Sequence, residues 1–187
     1  MSLFELTFSL SALILGLALT HMASNVYKLA HAGRRVRWAP EPLLQAGIVL
    51  LVVVQVWVSQ WEYRTATEIT YWQILLQTIK LLVLYVAAAS CLPEIREDES
   101  KIDLYTHYDH TRRLSFGALA LGLALFAAHE WTGVQTFQWR WAMLTPLIYM
   151  VPYVFMMFVR LRWFNIVLLA AILAFYGSVI MEYRLSN

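Results

Sequence analysis

Residues 69–92 read ITYWQILLQTIKLLVLYVAAASCL, a stretch that is apolar except for one polar stripe. About 20 apolar residues in a helix cross the roughly 30 Å hydrocarbon core of a bilayer, so this stretch predicts a transmembrane helix. Lys80 lies near its midpoint, and Gln73, Gln77 and Lys80 share one helix face at spacings of four and three. A lysine at this depth is costly and usually faces protein or a water-filled cavity.

The composition of the whole chain is that of a membrane protein. Of its 187 residues, 60% are hydrophobic and 14% are charged, whereas soluble domains are nearer half apolar and a quarter charged. The apolar blocks are continuous and do not alternate, which favours helices over a β-barrel. The net charge of +2 comes from short membrane-flanking clusters, so nucleic acid is not an expected partner. The single cysteine, Cys91, excludes an internal disulfide.

Six apolar blocks predict an all-α, polytopic transmembrane bundle that forms one domain over residues 1–187. The predicted spans cover about residues 3–27, 42–61, 69–92, 114–133, 141–159 and 163–183. Residues 93–113 form the longest polar connection, and its second half has the spacing of a helical lead-in to span four. The connection between spans five and six, Arg160–Arg162, is so short that these spans are expected to be antiparallel neighbours.

The basic residues predict the orientation of the bundle. The first, third and fifth connections carry far more of them than the other side, and the positive-inside rule then places these connections in the cytoplasm and both termini outside. The basic connections hold Lys28, Arg34, Arg35, Arg37, Arg96, Lys101, Arg112, Arg113, Arg160 and Arg162, against Arg64, Arg140 and Arg184 on the other side. Because no basic residue precedes Lys28, the first block is expected to be a retained helix and not a cleaved signal peptide.

One short motif occurs twice. The sequence LGLAL at residues 15–19 recurs at residues 121–125, and each copy is followed by a histidine, His21 or His129. The recurrence suggests a 3+3 inverted repeat, an arrangement common in secondary transporters. Chance remains the alternative, because Leu, Gly and Ala are frequent in membrane helices.

Lys80 is the main candidate for function. It lies about eleven residues, or ~16 Å, from either end of its predicted span, too far for its side chain to reach an interface. Gln77 and Gln73 extend the stripe, and Gln55 of span two is deep enough to be a neighbour. Pro152, near the middle of span five, frees backbone carbonyls that can coordinate an ion. These five residues form the predicted pathway or ion- or solute-binding site.

Secondary candidates lie toward the ends of the spans. Glu5, Glu130 and His129 fall on the predicted outer side and would suit a cation vestibule. Solvated helix ends are the alternative. His21 and Asn25, four residues apart near the inner end of span one, are expected to hydrogen-bond across helices.

No metal site and no cofactor is expected. Asp103, His107 and His110 fall at helical spacing on the lead-in and are weak candidates for a metal face or a pH sensor. Three such ligands on a connection without a fourth are more often a polar surface. No Walker loop, HExxH or GxSxG motif points to an enzyme.

Residues 15–62 and 107–121 resemble a group of small uncharacterised bacterial six-span integral membrane proteins. The resemblance is carried by a basic connection, Arg34-Arg35-Val36-Arg37, followed by a second helix with Gln55, Trp57 and Trp61. It implies a multi-pass protein of the bacterial inner membrane and implies no activity.

Three functions remain open from the sequence. The leading hypothesis is an ion channel or small-solute transporter of the cytoplasmic membrane, a homo-oligomer in the lipid bilayer that passes an ion or small anion near Lys80. The alternative is a non-transporting membrane subunit or scaffold in which Lys80 pairs with a partner helix. The third is a membrane enzyme or redox protein that uses His21, His107 and His110.

Overall fold

The computed structural model describes residues 3–61, 70–95, 101–133 and 144–182, and of residues 3, 4, 6, 129–133, 144–146 and 182 the backbone alone. This part of the chain is almost entirely helical, as the all-α prediction requires. Its helices are α1 (Leu3–Ala32), α2 (Pro40–Ser59), α3 (Tyr71–Cys91), α4 (Leu104–Gly133), α5 (Leu144–Phe158) and α6 (Arg162–Glu182). A short 3-10 turn, Gly33–Arg35, and two strands of two residues, β1 (Val36–Arg37) and β2 (Ile102–Asp103), complete it.

Five of the described helices, α1 to α4 and α6, are long and apolar enough to cross a membrane. The fifth helix in chain order, α5, is apolar but is described over only 15 residues. The predicted span 141–159 began in residues 134–143, which lie outside the described part of the chain. The structure thus agrees with a multi-pass membrane protein.

Local sequence signals fix several helix ends. Gly33 has a φ of +51°, a left-handed conformation that suits glycine after a helix, and α1 ends directly before it. Pro40 lies at the start of α2, where its missing N–H costs no hydrogen bond. Thr70 and Gln73 form a capping box at the start of α3. Asp103 accepts hydrogen bonds from the N–H groups of Tyr105 and Thr106 at the start of α4.

The start of α4 differs most from the predicted span boundaries. The prediction began span four at residue 114, but α4 begins at Leu104 and includes the expected lead-in as its first turns. Leu104, Tyr108 and Arg112 are buried on one face of these turns. The helix therefore continues through the polar segment because its inward face packs against the bundle.

The helices pack in a defined order. α3 and α4 pack closely together, α5 packs on α4, α1 on α3, and α6 on α2. Although α5 and α6 are consecutive, they meet mainly through aromatic rings, such as Tyr149 with Phe175 at 5.6 Å and Phe155 with Phe164 at 5.7 Å. The inverted repeat stays a prediction.

The ends of several helices meet at what we call the basic end, where α2, α4 and α6 begin and α3 and α5 end. There β1 and β2 pair in parallel, with Val36 opposite Ile102 and Arg37 opposite Asp103. Arg37 also forms an ion pair with Asp103 at 3.0 Å. This pairing ties the connection after α1 to the start of α4. Which side of a membrane the basic end faces stays a prediction.

Candidate functional site

A cavity of about 100 Å³ lies around Lys80 in the bundle. It is lined by residues of five helices, α2 to α6, together with Gln60 at the end of α2. Its polar and aromatic walls include Gln60, Gln77, Lys80, Phe126, Tyr153 and Tyr176. The remaining walls are largely aliphatic, with Val52, Val56 and Leu84 among them. The structure therefore places Lys80 and Gln77 on a protein cavity.

Lys80 lies near the middle of α3 and is half-buried. Its Nζ lies 5.4 Å from the centroid of the Phe126 ring on α4, a cation–π contact. None of the cavity-lining residues that the structure describes is an aspartate or a glutamate. The charge that the lining side chains supply is thus that of one ammonium group.

Gln77 provides a second donor close to Lys80, three residues earlier on the same helix. Its Nε2 atom is buried and has no hydrogen-bond partner within the described part of the chain. On the opposite wall the hydroxyls of Tyr153 and Tyr176 lie 3.4 Å apart and join α5 to α6. A buried amide without a partner is costly, so a bound ligand or water that accepts from Gln77 would remove an energetic penalty.

The other predicted pathway residues lie elsewhere. Gln73 accepts at Oε1 from the N–H of Thr70 at 2.9 Å and caps α3. Gln55 is half-buried on α2 and, like Gln73, is not among the described residues that line the cavity. Pro152 lies inside α5, directly before the lining residue Tyr153. The structure therefore joins Lys80 and Gln77, but not Gln73 and Gln55, at one cavity.

The secondary candidates are dispersed. Glu5 is exposed on the first turns of α1, and the side chains of Glu130 and His129 lie outside the described residues. Asn25 is buried and its Nδ2 lies 3.1 Å from Nε2 of His21, so these residues bond within α1 and not across helices. The His21 ring also lies 6.3 Å from the ring of Tyr85 on α3.

The weak metal candidates are engaged separately. Asp103 caps α4 and pairs with Arg37, His107 contacts the carbonyl oxygen of Ser90 through Nε2 at 3.2 Å, and His110 is exposed. Among the described residues no group of three or more His, Cys, Asp or Glu side chains is placed to hold a metal ion.

A second polar site, which was not among the predicted candidates, lies at the basic end. Four of its polar side chains are at most 2% exposed although they come from three helices. They belong to Glu41 of α2, Tyr108 and Arg112 of α4, and Asn165 of α6. Together with Arg162, the first residue of α6, we call them the basic-end cluster.

Two sets of contacts hold the basic-end cluster. Arg162 Nε donates to Glu41 Oε1 at 2.8 Å, and the Arg162 guanidinium lies 4.0 Å over the ring of Tyr105. Arg112 Nη1 donates to the carbonyl oxygen of Val159 at 2.9 Å, and Asn165 Nδ2 donates to the same oxygen at 3.1 Å. The cluster thus connects α2, α4, α5 and α6 at one end of the bundle.

The hydrogen bonding of the cluster is incomplete. Glu41 Oε2, Tyr108 Oη, Arg112 Nε and Asn165 Oδ1 are buried and have no hydrogen-bond partner among the described residues. Arg112 Nε lies 3.3 Å from Asp109 Oδ1, which is an ion-pair distance but not a hydrogen bond. Since buried polar atoms are nearly always satisfied in folded proteins, these four atoms are available to bond with water or a ligand.

Buried aromatic and polar side chains connect the two polar sites. The Phe116 ring lies 6.1 Å from that of Tyr108 in the cluster and 6.4 Å from that of Tyr153 in the cavity wall. Beside it, the buried Gln45 of α2 donates a hydrogen bond to Ser115 of α4. These side chains therefore pack between the two polar sites.

No family model, curated protein or solved structure matches the chain. Its function is therefore inferred from the two polar sites themselves.

Proposed function

We propose that the protein is a channel or carrier for a small ion or solute, and that its ligand in the Lys80 cavity is a small, singly charged anion. The observation that carries the proposal is the position of Lys80, which lies in the middle of an apolar helix and faces a cavity built by five helices.

The charge of the cavity favours an anion. Its described lining offers the ammonium group of Lys80, the unsatisfied amide of Gln77 and the hydroxyl of Tyr176, each of which can donate hydrogen bonds. The Tyr153 hydroxyl already donates to that of Tyr176. No carboxylate is among these lining residues to attract a cation. The lining thus offers a positively charged group and hydrogen-bond donors, which suit an anion better than a cation.

The size and walls of the cavity narrow the choice further. A cavity of about 100 Å³ is large enough to hold a small anion. The largely aliphatic lining cannot replace a full hydration shell. Weakly hydrated ions such as nitrate or a short monocarboxylate are therefore favoured over sulfate or phosphate.

The proposal also includes the membrane, the orientation and the oligomeric state of the protein. The long apolar helices suit a multi-pass protein of the cytoplasmic membrane, with the basic end in the cytoplasm. We also expect a homo-oligomer, because a bundle of this size leaves little room for a wide pore in one chain. Membrane-permeable crosslinking and mass measurement in detergent would test that expectation.

Flux through proteoliposomes tests the transport proposal. Purified protein is reconstituted, and uptake of nitrate, formate, chloride, sulfate, potassium and sodium is compared between the wild type and Lys80→Met, which keeps the length of the side chain without its charge. We expect uptake of the monovalent anions to fall at least about tenfold, equivalent to a ~1.4 kcal/mol loss of binding or barrier stabilisation. Lys101→Met, at an exposed lysine, is the matched control and should leave uptake unchanged.

Two results would count against the proposal. Uptake of every ion that is equal in wild type, Lys80→Met and empty liposomes would exclude a transport role for the cavity. A partner protein that co-purifies with the wild type and is lost from Lys80→Met would instead support the membrane-subunit alternative.

A further inference from the structure

We propose that the Glu41 carboxylate is the tethered occupant of a second anion-binding site, formed by Arg112 and Arg162, and that small planar monovalent oxyanions bind there when Glu41 leaves. The biological role of this site rests on the proposed function: it would receive an anion that passes from the Lys80 cavity to the basic end. The existence of the site is tested independently of transport.

The Glu41 carboxylate is bound through only one of its two oxygens. Its side chain is 0% exposed, and Oε1 accepts from Arg162 Nε at 2.8 Å. Oε2 has no partner within the described residues, although it is equally buried. The carboxylate is therefore held on one side only, in a place where its second oxygen gains nothing from water.

The arginine on the other side of the site also has an unused donor. Arg112 is 2% exposed, and its Nε makes no hydrogen bond in the described structure. Arg112 and Asn165 both donate to the carbonyl oxygen of Val159, three residues before the Arg162 that binds Glu41, so Arg112 lies at the same end of the bundle as the Glu41–Arg162 pair. Arg112 and Tyr108 can thus supply donors that Glu41 leaves unused.

The charges around Glu41 define what would replace it. Arg112 and Arg162 carry two positive charges, and Glu41 and Asp109 carry two negative ones. The neighbouring pair of Arg37 and Asp103 is neutral as a whole. Without Glu41 the Arg162 guanidinium, which is 48% exposed, loses its charged partner, while the space that the carboxylate occupied is buried. An oxyanion that entered this space would restore a charge-assisted hydrogen bond to Arg162.

The shape of the binding groups selects the class of anion. A guanidinium group presents its N–H donors in a plane and matches planar oxyanions such as carboxylates. The natural occupant of the site is itself a carboxylate. Formate, acetate and nitrate therefore fit the site, whereas sulfate carries one charge too many.

The site lies at the basic end, a short distance along α4 from the cavity. Along α4, Arg112 precedes the cavity-lining Leu119 by seven residues, or ~10 Å of helix. Phe116 and the bond between Gln45 and Ser115 fill this interval. An anion that crosses it would reach Arg112 and compete with Glu41, so displacement of Glu41 would open the basic end.

Rescue of a Glu41 variant by small anions tests the site. Thermal unfolding is followed in detergent for the wild type and Glu41→Ala while sodium formate, acetate, nitrate or sulfate is added at equal ionic strength. We expect Glu41→Ala to unfold at a lower temperature than the wild type. Formate or acetate should raise its Tm saturably, by roughly 2–4 °C more than it raises that of the wild type.

Two controls separate specific binding from a general salt effect. Glu94→Ala removes an exposed carboxylate and should respond to anions as the wild type does. The double variant Glu41→Ala/Arg162→Met should lose the rescue, because the main guanidinium contact is gone. If Glu41→Ala does not fold, Glu41→Ser, which also empties the site and removes the charge, is measured in the same way.

The proposal is overturned if formate, acetate and nitrate stabilise the Glu41 variant no more than they stabilise the wild type. That result would leave a Lys80-dependent flux untouched. Conversely, anion rescue in a protein whose flux does not depend on Lys80 would establish the second site and remove the transport proposal.

Discussion

Arg112 Nη1 donates a hydrogen bond of 2.9 Å to the carbonyl oxygen of Val159, directly after the last residue of α5. The final carbonyl groups of a helix have no partner within the helix itself. A buried arginine of α4 thus supplies the missing donor and holds the turn into α6. The same contact places a positive charge in the basic-end cluster, so one residue supports both the fold and the candidate site.

Arg112→Met is expected to destabilise the protein. The substitution preserves much of the apolar packing but removes a charged donor to Val159, and it leaves Asn165 as the described partner of that carbonyl. Losing a buried charged hydrogen bond costs about 2 kcal/mol in free energy of unfolding. Thermal and denaturant unfolding in detergent measure the change.

The neighbouring arginine provides the control for that measurement. Arg113 is exposed, so Arg113→Met should change the free energy of unfolding by less than about 0.5 kcal/mol. Equal losses in the two variants would show that the charge of the segment matters and that the bond to Val159 does not.

Gln77→Leu is expected to reduce function without reducing stability. The Gln77 amide is buried without a partner in the described structure, so an apolar side chain of similar size should leave stability unchanged or raise it by about 1 kcal/mol. The same change removes a donor from the Lys80 cavity and should reduce anion uptake by proteoliposomes.

Gln73→Leu, one turn earlier on α3, should give the reverse pattern. It breaks the capping box with Thr70 and should cost about 0.5–1 kcal/mol of stability. Because Gln73 is not among the described cavity-lining residues, uptake should be retained. If the Gln77→Leu and Gln73→Leu variants lose anion uptake to the same extent, the whole polar stripe takes part in transport. The functional site would then extend beyond the residues that line the cavity.

The parts of the fold that follow from local sequence were predictable. Apolar blocks of sufficient length predicted the helices, and the spacing of Gln77 and Lys80 on one helix predicted that they share a face. Their cavity partners Gln60, Tyr153 and Tyr176 come from other helices, so their positions depend on packing that no local pattern contains.

The basic-end cluster escaped prediction for a related reason. Glu41 and Arg162 each stand at the end of an apolar block, where a charged residue normally marks a solvated helix end. Their contact arises only when the starts of α2 and α6 meet. The spacing of Tyr105, Tyr108 and Arg112 was the available signal, because it places all three on one face of the lead-in helix.

Cys91 is expected to resist thiol reagents while the protein is folded. Its side chain is buried at the end of α3, and Sγ donates to the carbonyl oxygen of Ala88 at 3.0 Å. Maleimide labelling in mild detergent should therefore be slow and should become complete on denaturation, as mass spectrometry can follow. Rapid labelling of the folded protein would mean that this end of α3 opens readily.

Asp103 should make a pH-dependent contribution to stability. Partial desolvation alone would raise the pKa of its carboxyl group. The N–H groups of Thr106 and Tyr105 and the guanidinium of Arg37 outweigh this effect and hold the pKa below its ordinary value. The stabilisation is fully present above the unfolded-state pKa of about 3.9 and is lost as the pH falls through the lower folded-state pKa.

Asp103→Asn isolates this contribution, because asparagine also caps a helix but carries no charge. The wild type should have the higher Tm from pH 7 down to about pH 4, and the gap should close at more acidic pH. Glu94→Gln, at an exposed carboxylate, should show no comparable gap. If the difference in Tm between the wild type and Asp103→Asn already disappears near neutral pH, another group causes it. If the difference persists in strong acid, the charge of Asp103 is not its source.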